Sequence, residues 1–179
     1  MIEPVLCEAL PGLAVRVLVA TLPRPLGELP ASAVPEAPPA TDESLRTAVR
    51  DVLRQRGYRP TGRGKPSSEY LVNALADGRW PCINAVVDAG NVASLRSGLP
   101  ISVVDRGRLE LPFRVRCGLA GERYVFNAGG QEIDIAGLPC LCDRDGPCAN
   151  AVKDSQRTKT HAGTTSVLAA VVLMCGLLV

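Results

Sequence analysis

At Gly98 the spacing of apolar residues changes period, and that switch constrains the fold more than any other feature of the chain. Upstream, Leu45, Ala48, Val49, Val52 and Leu53 recur at the spacing of an amphipathic helix with one apolar face. A second helix is predicted through Tyr70, Leu71, Ala74 and Leu75. A third runs from about Asn84 to Ser97, with Val86, Val87, Gly90 or Asn91, Ala93 and Leu95 near or in the core. Downstream the period is two, and Ile101–Val104, Phe113–Cys117, Arg123–Phe126, Glu132–Ile135 and Val167–Val172 read as strands, with turns at Gly121 and at Gly129 and Gly130. In a chain of 179 residues neither half buries enough apolar surface alone, so the two must share one core. The expected fold class is α+β, with helices packed on a mixed or antiparallel sheet.

Local chemistry sets the predicted boundaries. The β-branched run within Leu13–Leu22 reads as a leading strand. Pro23, Pro25, Pro30, Pro35, Pro38 and Pro39 follow, each lacking a backbone donor, so this stretch is a connector rather than a helix. Residues 1–40 are accordingly taken as a strand and connector belonging to the same domain as 41–179. The hydroxyl of Thr41 is the expected N-cap of the first helix, with Asp42 and Glu43 in its first turn and Gly57 just past its end. Ser67 or Ser68 is the expected cap of the second helix and Gly78 its stop; Gly98 stops the third.

Composition removes several function classes. A net charge of +2 predicts neither nucleic-acid binding nor a membrane surface by itself, so any RNA site has to be local. The excess sits in residues 41–80, where eight Lys/Arg face five Asp/Glu. There Arg46, Arg50, Arg54 and Arg56 form either a solvated helix face or, extended by Arg59, Arg63 and Lys65, a phosphate-binding stripe. Seven cysteines, an odd number with acidic Glu3 and Glu8 near the start in place of a secretory leader, are expected to be reduced thiols of a cytoplasmic protein. The apolar run Ser166–Val179 is shorter than the roughly 20 residues a spanning helix needs, and reads as one or two buried strands, with no membrane partner expected.

Gly57–Ser67 resembles a phosphate loop only superficially, because Pro66 follows Lys65 where a Walker motif needs Ser or Thr. Cys140, Cys142 and Cys148 with His161 could supply zinc ligands, but their spacing suits small buried thiols better, and neither metal nor cofactor is expected. With His161 the single histidine, a histidine-based triad is disfavoured. The polar segment Lys153–His161 is the most informative short stretch, read either as a solvent loop or as part of a site. Its acceptors, hydroxyls and cations precede the last apolar strand, where a loop beside a rigid sheet can form the rim of a pocket.

The run from Asn84 to Asp105 follows the pattern N-x-V-V-D-x-x-N-x-x-x-L-x-x-G-x-P-x-x-x-x-D. It resembles a segment of the B3/B4 domain in the β subunit of bacterial phenylalanyl-tRNA synthetase. The flanks are similar to stand-alone B3/B4 proteins, with Pro66–Glu69 before the run and the Asp-Ser-x-x-Thr-Lys-Thr of Asp154–Thr160 after it. The resemblance implies a B3/B4-like single domain. In the synthetase that domain hydrolyses the ester of tRNA charged with the wrong amino acid, and a free-standing relative could do so in trans. Such chemistry needs a positioned water, groups that orient the amino acid and ribose, and donors to the developing oxyanion.

The resemblance aligns the motif Asp and Asn with Asp88 and Asn91. With Asn84, Ser102, Asp154, Ser155, Thr158, Lys159 and His161 they form the candidate substrate-binding set. Arg46, Arg50, Arg54, Arg59, Arg63, Lys65 and Arg157 form the candidate RNA-binding set. Asn84 could equally cap the third helix, Asp88 pair with Arg96 or a strand arginine, and Asn91 satisfy buried backbone. Three readings stand: a trans-editing deacylase acting on aminoacyl-tRNA, a tRNA- or RNA-binding module without catalysis, and a domain that binds an amino-acid-like small molecule.

Overall fold

The computed structural model describes residues 2–6, 10, 13–30 and 42–174. Thr41, Pro35, Pro38, Pro39, Cys7, Cys175 and the end of the apolar terminus lie outside them. Strands β1 (Ile2–Leu6) and β2 (Leu13–Thr21) precede helices α1 (Glu43–Arg54), α2 (Ser67–Ala76) and α3 (Ala85–Ser97). Then come β3 (Ile101–Asp105), β4 (Arg114–Cys117), β5 (Arg123–Val125), β6 (Glu132–Asp134), β7 (Pro139–Asp143), β8 (Gly146–Asn150) and β9 (Ser166–Met174). The α+β class predicted from periodicity holds, and of the two sheet types expected it is the antiparallel one that pairs these strands.

The largest sheet has the order β1-β2-β9-β3, a second β4-β7-β8, and β5 pairs with β6. Strand β9 lies between β2 and β3, with Leu168 opposite both Val19 and Val104, and its successive residues Val167 and Leu168, with Ala170, are buried, so its apolar run is covered on both faces there.

Helix α1 joins the two sheets. Val49 and Val52 enter the main core with Val15, Val115, Leu141 and Leu168, while Leu53 enters a second cluster with Ile135, Leu138, Cys140 and Cys142. Its cap is Asp42, one residue beyond the predicted hydroxyl: Oδ1 accepts from the Ser44 N–H at 2.8 Å and the Leu45 N–H at 3.3 Å. A carboxylate there satisfies the same orphan donors and also favours the positive end of the helix dipole.

Helix α2 departs from expectation. Neither serine caps it; Pro66 occupies the cap position and the Ser67 N–H donates to the Ala151 carbonyl at 2.8 Å, so a tertiary partner replaces a local one. Tyr70 lies within α2 as predicted and is 60% exposed. On α3 the Asn84 cap and the left-handed Gly98 (φ +71°) are as predicted. Its inner face is more polar than expected: Asp88 and Ser94 are buried, whereas Ala93 is exposed. Ser94 Oγ donates to the Leu99 carbonyl at 2.7 Å, and Asp88 accepts from the Ile83 N–H at 2.9 Å, so both satisfy backbone at the ends of α3. Among the described residues no arginine forms an ion pair with Asp88, in contrast to one of its predicted alternatives. Gly90 lets α3 lie directly on β3, since a Cβ there would stand 2.6 Å from Val103 Cγ2.

The hairpin β7–β8 exceeds the strand end expected at Cys140–Cys142. All five residues of β7 are buried: Leu141 faces the main core, and Cys140 and Cys142, two residues apart, share the opposite face. Burial pushes the Cys142 thiol up to about 11, the Cys148 thiol to about 12 and Cys140 well above its ordinary value, so these thiols stay neutral.

Candidate functional site

A cleft of about 570 Å³ opens where α3 and β3 meet the segment that follows β8. Val87 and Asn91 of α3 and Ile101, Ser102 and Val103 of β3 line one side. Asn150, Lys153, Asp154, Lys159 and Thr160 line another, and Arg63, Lys65, Tyr70, Phe126 and Asn127 complete it.

The chain after β8 has little regular structure, and buried side chains hold its shape. Asn150 Oδ1 accepts from the Val152 and Lys153 N–H groups at 2.7 and 2.9 Å, and its amide donates to the Tyr124 hydroxyl. Tyr124 in turn donates to the Lys153 carbonyl, and burial raises its pKa, keeping the phenol protonated. Thr158, fully buried, donates to the Cys148 carbonyl at 3.0 Å; Ser155 is buried and accepts from the Arg157 N–H at 3.3 Å. Arg157 forms a two-pronged pair with the fully buried Asp143 at 2.9 and 2.8 Å. Asn84 caps α3 through the Val87 N–H at 3.0 Å and donates to Thr160 Oγ1 at 3.1 Å, joining the helix to the cleft wall.

Inside this frame basic side chains outnumber acidic ones. Arg63, Lys65, Lys153 and Lys159 face one lining carboxylate, Asp154. The Lys159 ammonium donates to the Phe126 carbonyl at 2.6 Å, and that of Lys153 lies 3.9 Å from the centre of the Phe126 ring. Burial, with repulsion from Arg63 and Lys159, lowers the Lys153 pKa. Asp154 Oδ1 accepts from Ser102 Oγ at 2.7 Å and the Asn150 N–H at 3.4 Å. Loss of bulk water outweighs these bonds and the nearby Lys159, and pushes the carboxyl up to about 6.

Of the predicted substrate set, Asn91, Ser102, Asp154 and Lys159 therefore meet in one cleft. Asn84, Asp88, Ser155 and Thr158 support its frame instead. His161 stands apart, its Nε2 3.1 Å from the Asp105 carboxylate and its Nδ1 accepting from the Gly163 N–H. Of the RNA set, Arg63 and Lys65 line the cleft and Arg59 is exposed. The α1 arginines are engaged by carboxylates: Arg46 with Glu43, Arg54 with Asp51, and Arg50 in a two-pronged pair with Glu69 that borders a second cleft of about 400 Å³. Arg157 is committed to Asp143.

Sequence reasoning missed Tyr70, Phe126, Asn127, Lys153 and Asn150 as lining residues. Only Lys153, the first residue of the polar segment, carried a signal that could have marked it. Among the described residues no group of three or more His, Cys, Asp or Glu is arranged to hold a metal, and no helix is long and apolar enough to cross a membrane.

A solved structure titled "Crystal structure of TILS C-terminal domain" is similar over 97% of this chain and 98% of that one, at 12% identity and a TM-score of 0.43. No curated protein matches the sequence. The B3/4 domain family matches residues 56–176, a span containing α2, α3, β3 and every residue that lines the cleft. With the Asn84–Asp105 and Asp154–Thr160 patterns both inside that span, the chain belongs to the B3/4 domain family.

Proposed function

We propose that this B3/4 protein, with residues 1–40 and 41–179 forming one unit, hydrolyses the ester of mischarged aminoacyl-tRNA in the cleft between α3, β3 and the Lys153–Thr160 segment. Membership of the B3/4 family fits a tRNA-related or RNA-binding role. The observation that carries the finer reading is the lining itself: four cations and one lone carboxylate around a cavity of about 570 Å³. Cations suit the phosphates near the end of a tRNA, and a cavity of this size suits a terminal nucleoside and its amino acid. Val87, Ile101 and Val103 offer an apolar wall to the amino-acid side chain, while Asn91 and the lysines offer donors to the ester and ribose. Aromatic surface at Tyr70 and Phe126 beside these cations adds a stacking partner for an unpaired base.

The reading without catalysis rests on the α1 arginine stripe, and it is disfavoured because Arg46, Arg50 and Arg54 already hold carboxylates. A free amino-acid-like ligand would leave most of the cleft's positive charge unanswered. Deacylation time courses with a panel of correctly and wrongly charged tRNAs test the proposal. Hydrolysis of one mischarged species above its spontaneous rate, weakening as salt rises, is expected. No cleavage of any species would overturn it.

A further inference from the structure

We infer that Asp154, held in place by Ser102, is the group that takes the proton from the hydrolytic water in this cleft. The inference rests on the function proposed above and assigns the base that such a reaction needs. Among the residues lining the cleft, Asp154 is the sole carboxylate, and no histidine is present. Its two oxygens are differently placed: Oδ1 is occupied by the Ser102 hydroxyl and the Asn150 N–H, whereas Oδ2 takes no hydrogen bond from the protein and is left to the cleft. All buried side-chain oxygens among the described residues have partners, so the unbonded Oδ2 is an oxygen that a water molecule can reach.

The neighbours suit the task. Ser102 on β3 is buried, and its oxygen lies 3.2 Å from the Asn150 carbonyl, so it stands behind Asp154 as a positioning residue. Tyr124 from β5 and Cys148 from β8 face the same carboxyl, and burial keeps both neutral. Lys159 is the cation that acts on Asp154, yet its ammonium bonds the Phe126 carbonyl instead of the carboxylate. The base is thus held ionised near neutral pH without being quenched by an ion pair. Its pKa, raised to about 6, brings it close to the operating range of a general base.

The steps balance without any co-reactant. Asp154 Oδ2 accepts a proton as the water oxygen bonds to the ester carbonyl carbon, and the carbonyl electron pair moves onto oxygen. Collapse of that tetrahedral species breaks the bond to the ribose oxygen, which leaves with the proton Asp154 holds. The products are tRNA with a free terminal hydroxyl and an amino acid, whose carboxyl releases its proton to solvent.

The test compares wild type, Asp154→Asn and Ser102→Ala on the tRNA species that the wild type cleaves, across pH 5–8, with melting temperatures recorded alongside. Asp154→Asn is expected to lose roughly 100-fold or more in kcat with KM little changed, and to lose the acid limb near pH 6, while its melting temperature holds or rises. Ser102→Ala is expected to lose roughly tenfold or less. It should also move the acid limb upward, because the Ser102 bond is the largest of the interactions that lower the Asp154 pKa. Cleavage by Asp154→Asn within about threefold of wild type, or an unaltered pH limb, overturns the inference alone. So does a Ser102→Ala loss as large as that of Asp154→Asn with an unmoved limb, which would make Ser102 the nucleophile. A wild type that cleaves no aminoacyl ester overturns the proposed function together with its base.

Discussion

Asp143 and Asp154 flank β8, and the fold treats them in opposite ways. Asp143 has a fully buried side chain that receives both prongs of Arg157 and the backbone N–H groups of Glu110 and Asp145. Burial pushes its carboxyl up, but the guanidinium and these donors outweigh it, and the pKa falls below the ordinary range. Asp154 has one hydroxyl and one long backbone bond and no bonded cation, so desolvation prevails and its pKa rises. The difference teaches what each residue is for. A carboxylate whose valences are all filled fixes the chain after β8, whereas one left partly unfilled carries a net stability cost, which the function proposed above accounts for by a water or substrate that completes it.

That comparison can be broken most severely from the Asp143 side. Arg157→Ala should strand a buried charge and cost about 3 kcal/mol, read as a shifted denaturation midpoint, because the lost partner leaves its desolvation uncompensated. Asp143 has a lowered folded pKa, so its contribution is present above its unfolded value near 4 and is lost as pH falls through the folded one. The variant should therefore lose stability less steeply in acid than wild type.

Gly90→Ala comes next. Its new Cβ would press on Val103 Cγ2, so about 1–3 kcal/mol of destabilisation is expected, with the cleft wall moved and ligand binding weakened alongside.

Asp154→Asn should give a smaller effect of the opposite sign. A folded pKa raised to about 6 means the native state holds the proton more tightly than the unfolded chain, so wild-type stability falls as pH climbs from about 4 to about 6. The variant should gain about 1 kcal/mol over wild type at pH 7 and nothing at pH 4 in denaturant titrations. A loss instead would put Asp154 in the same structural class as Asp143. Smallest of all is Arg54→Gln. It breaks an exposed pair with Asp51 on α1 and should shift stability by about 0.5 kcal/mol or less.

Helix α1, the ends of α3 and the strand β9 were readable in the chain because each is encoded over a few neighbouring residues. Apolar spacing marks α1, Asn84 and Gly98 bracket α3, and an unbroken apolar run marks β9. The hairpin β7–β8 was legible only as a strand end, since Pro139, Gly146 and Pro147 have weak strand preference and are paired by tertiary context. The caps of α1 and α2 moved for a related reason: Asp42 competes locally with Thr41, and Ser67 finds a distant carbonyl at Ala151.

The site divides in the same manner. The sequence marked Asn91, Ser102, Asp154 and Lys159 as candidate site residues, because a B3/4 pattern can be read from residue order alone, and the fold brings these four to one cleft. It could not assign Arg157 to Asp143, Asn150 to the turn after β8, or Tyr70 and Phe126 to the cleft rather than the core. Those decisions belong to the tertiary structure. Whether a polar side chain fills a buried valence or faces a cavity depends on which distant donors the packing of α3 on β3, and of β7 against both cores, brings within hydrogen-bond reach.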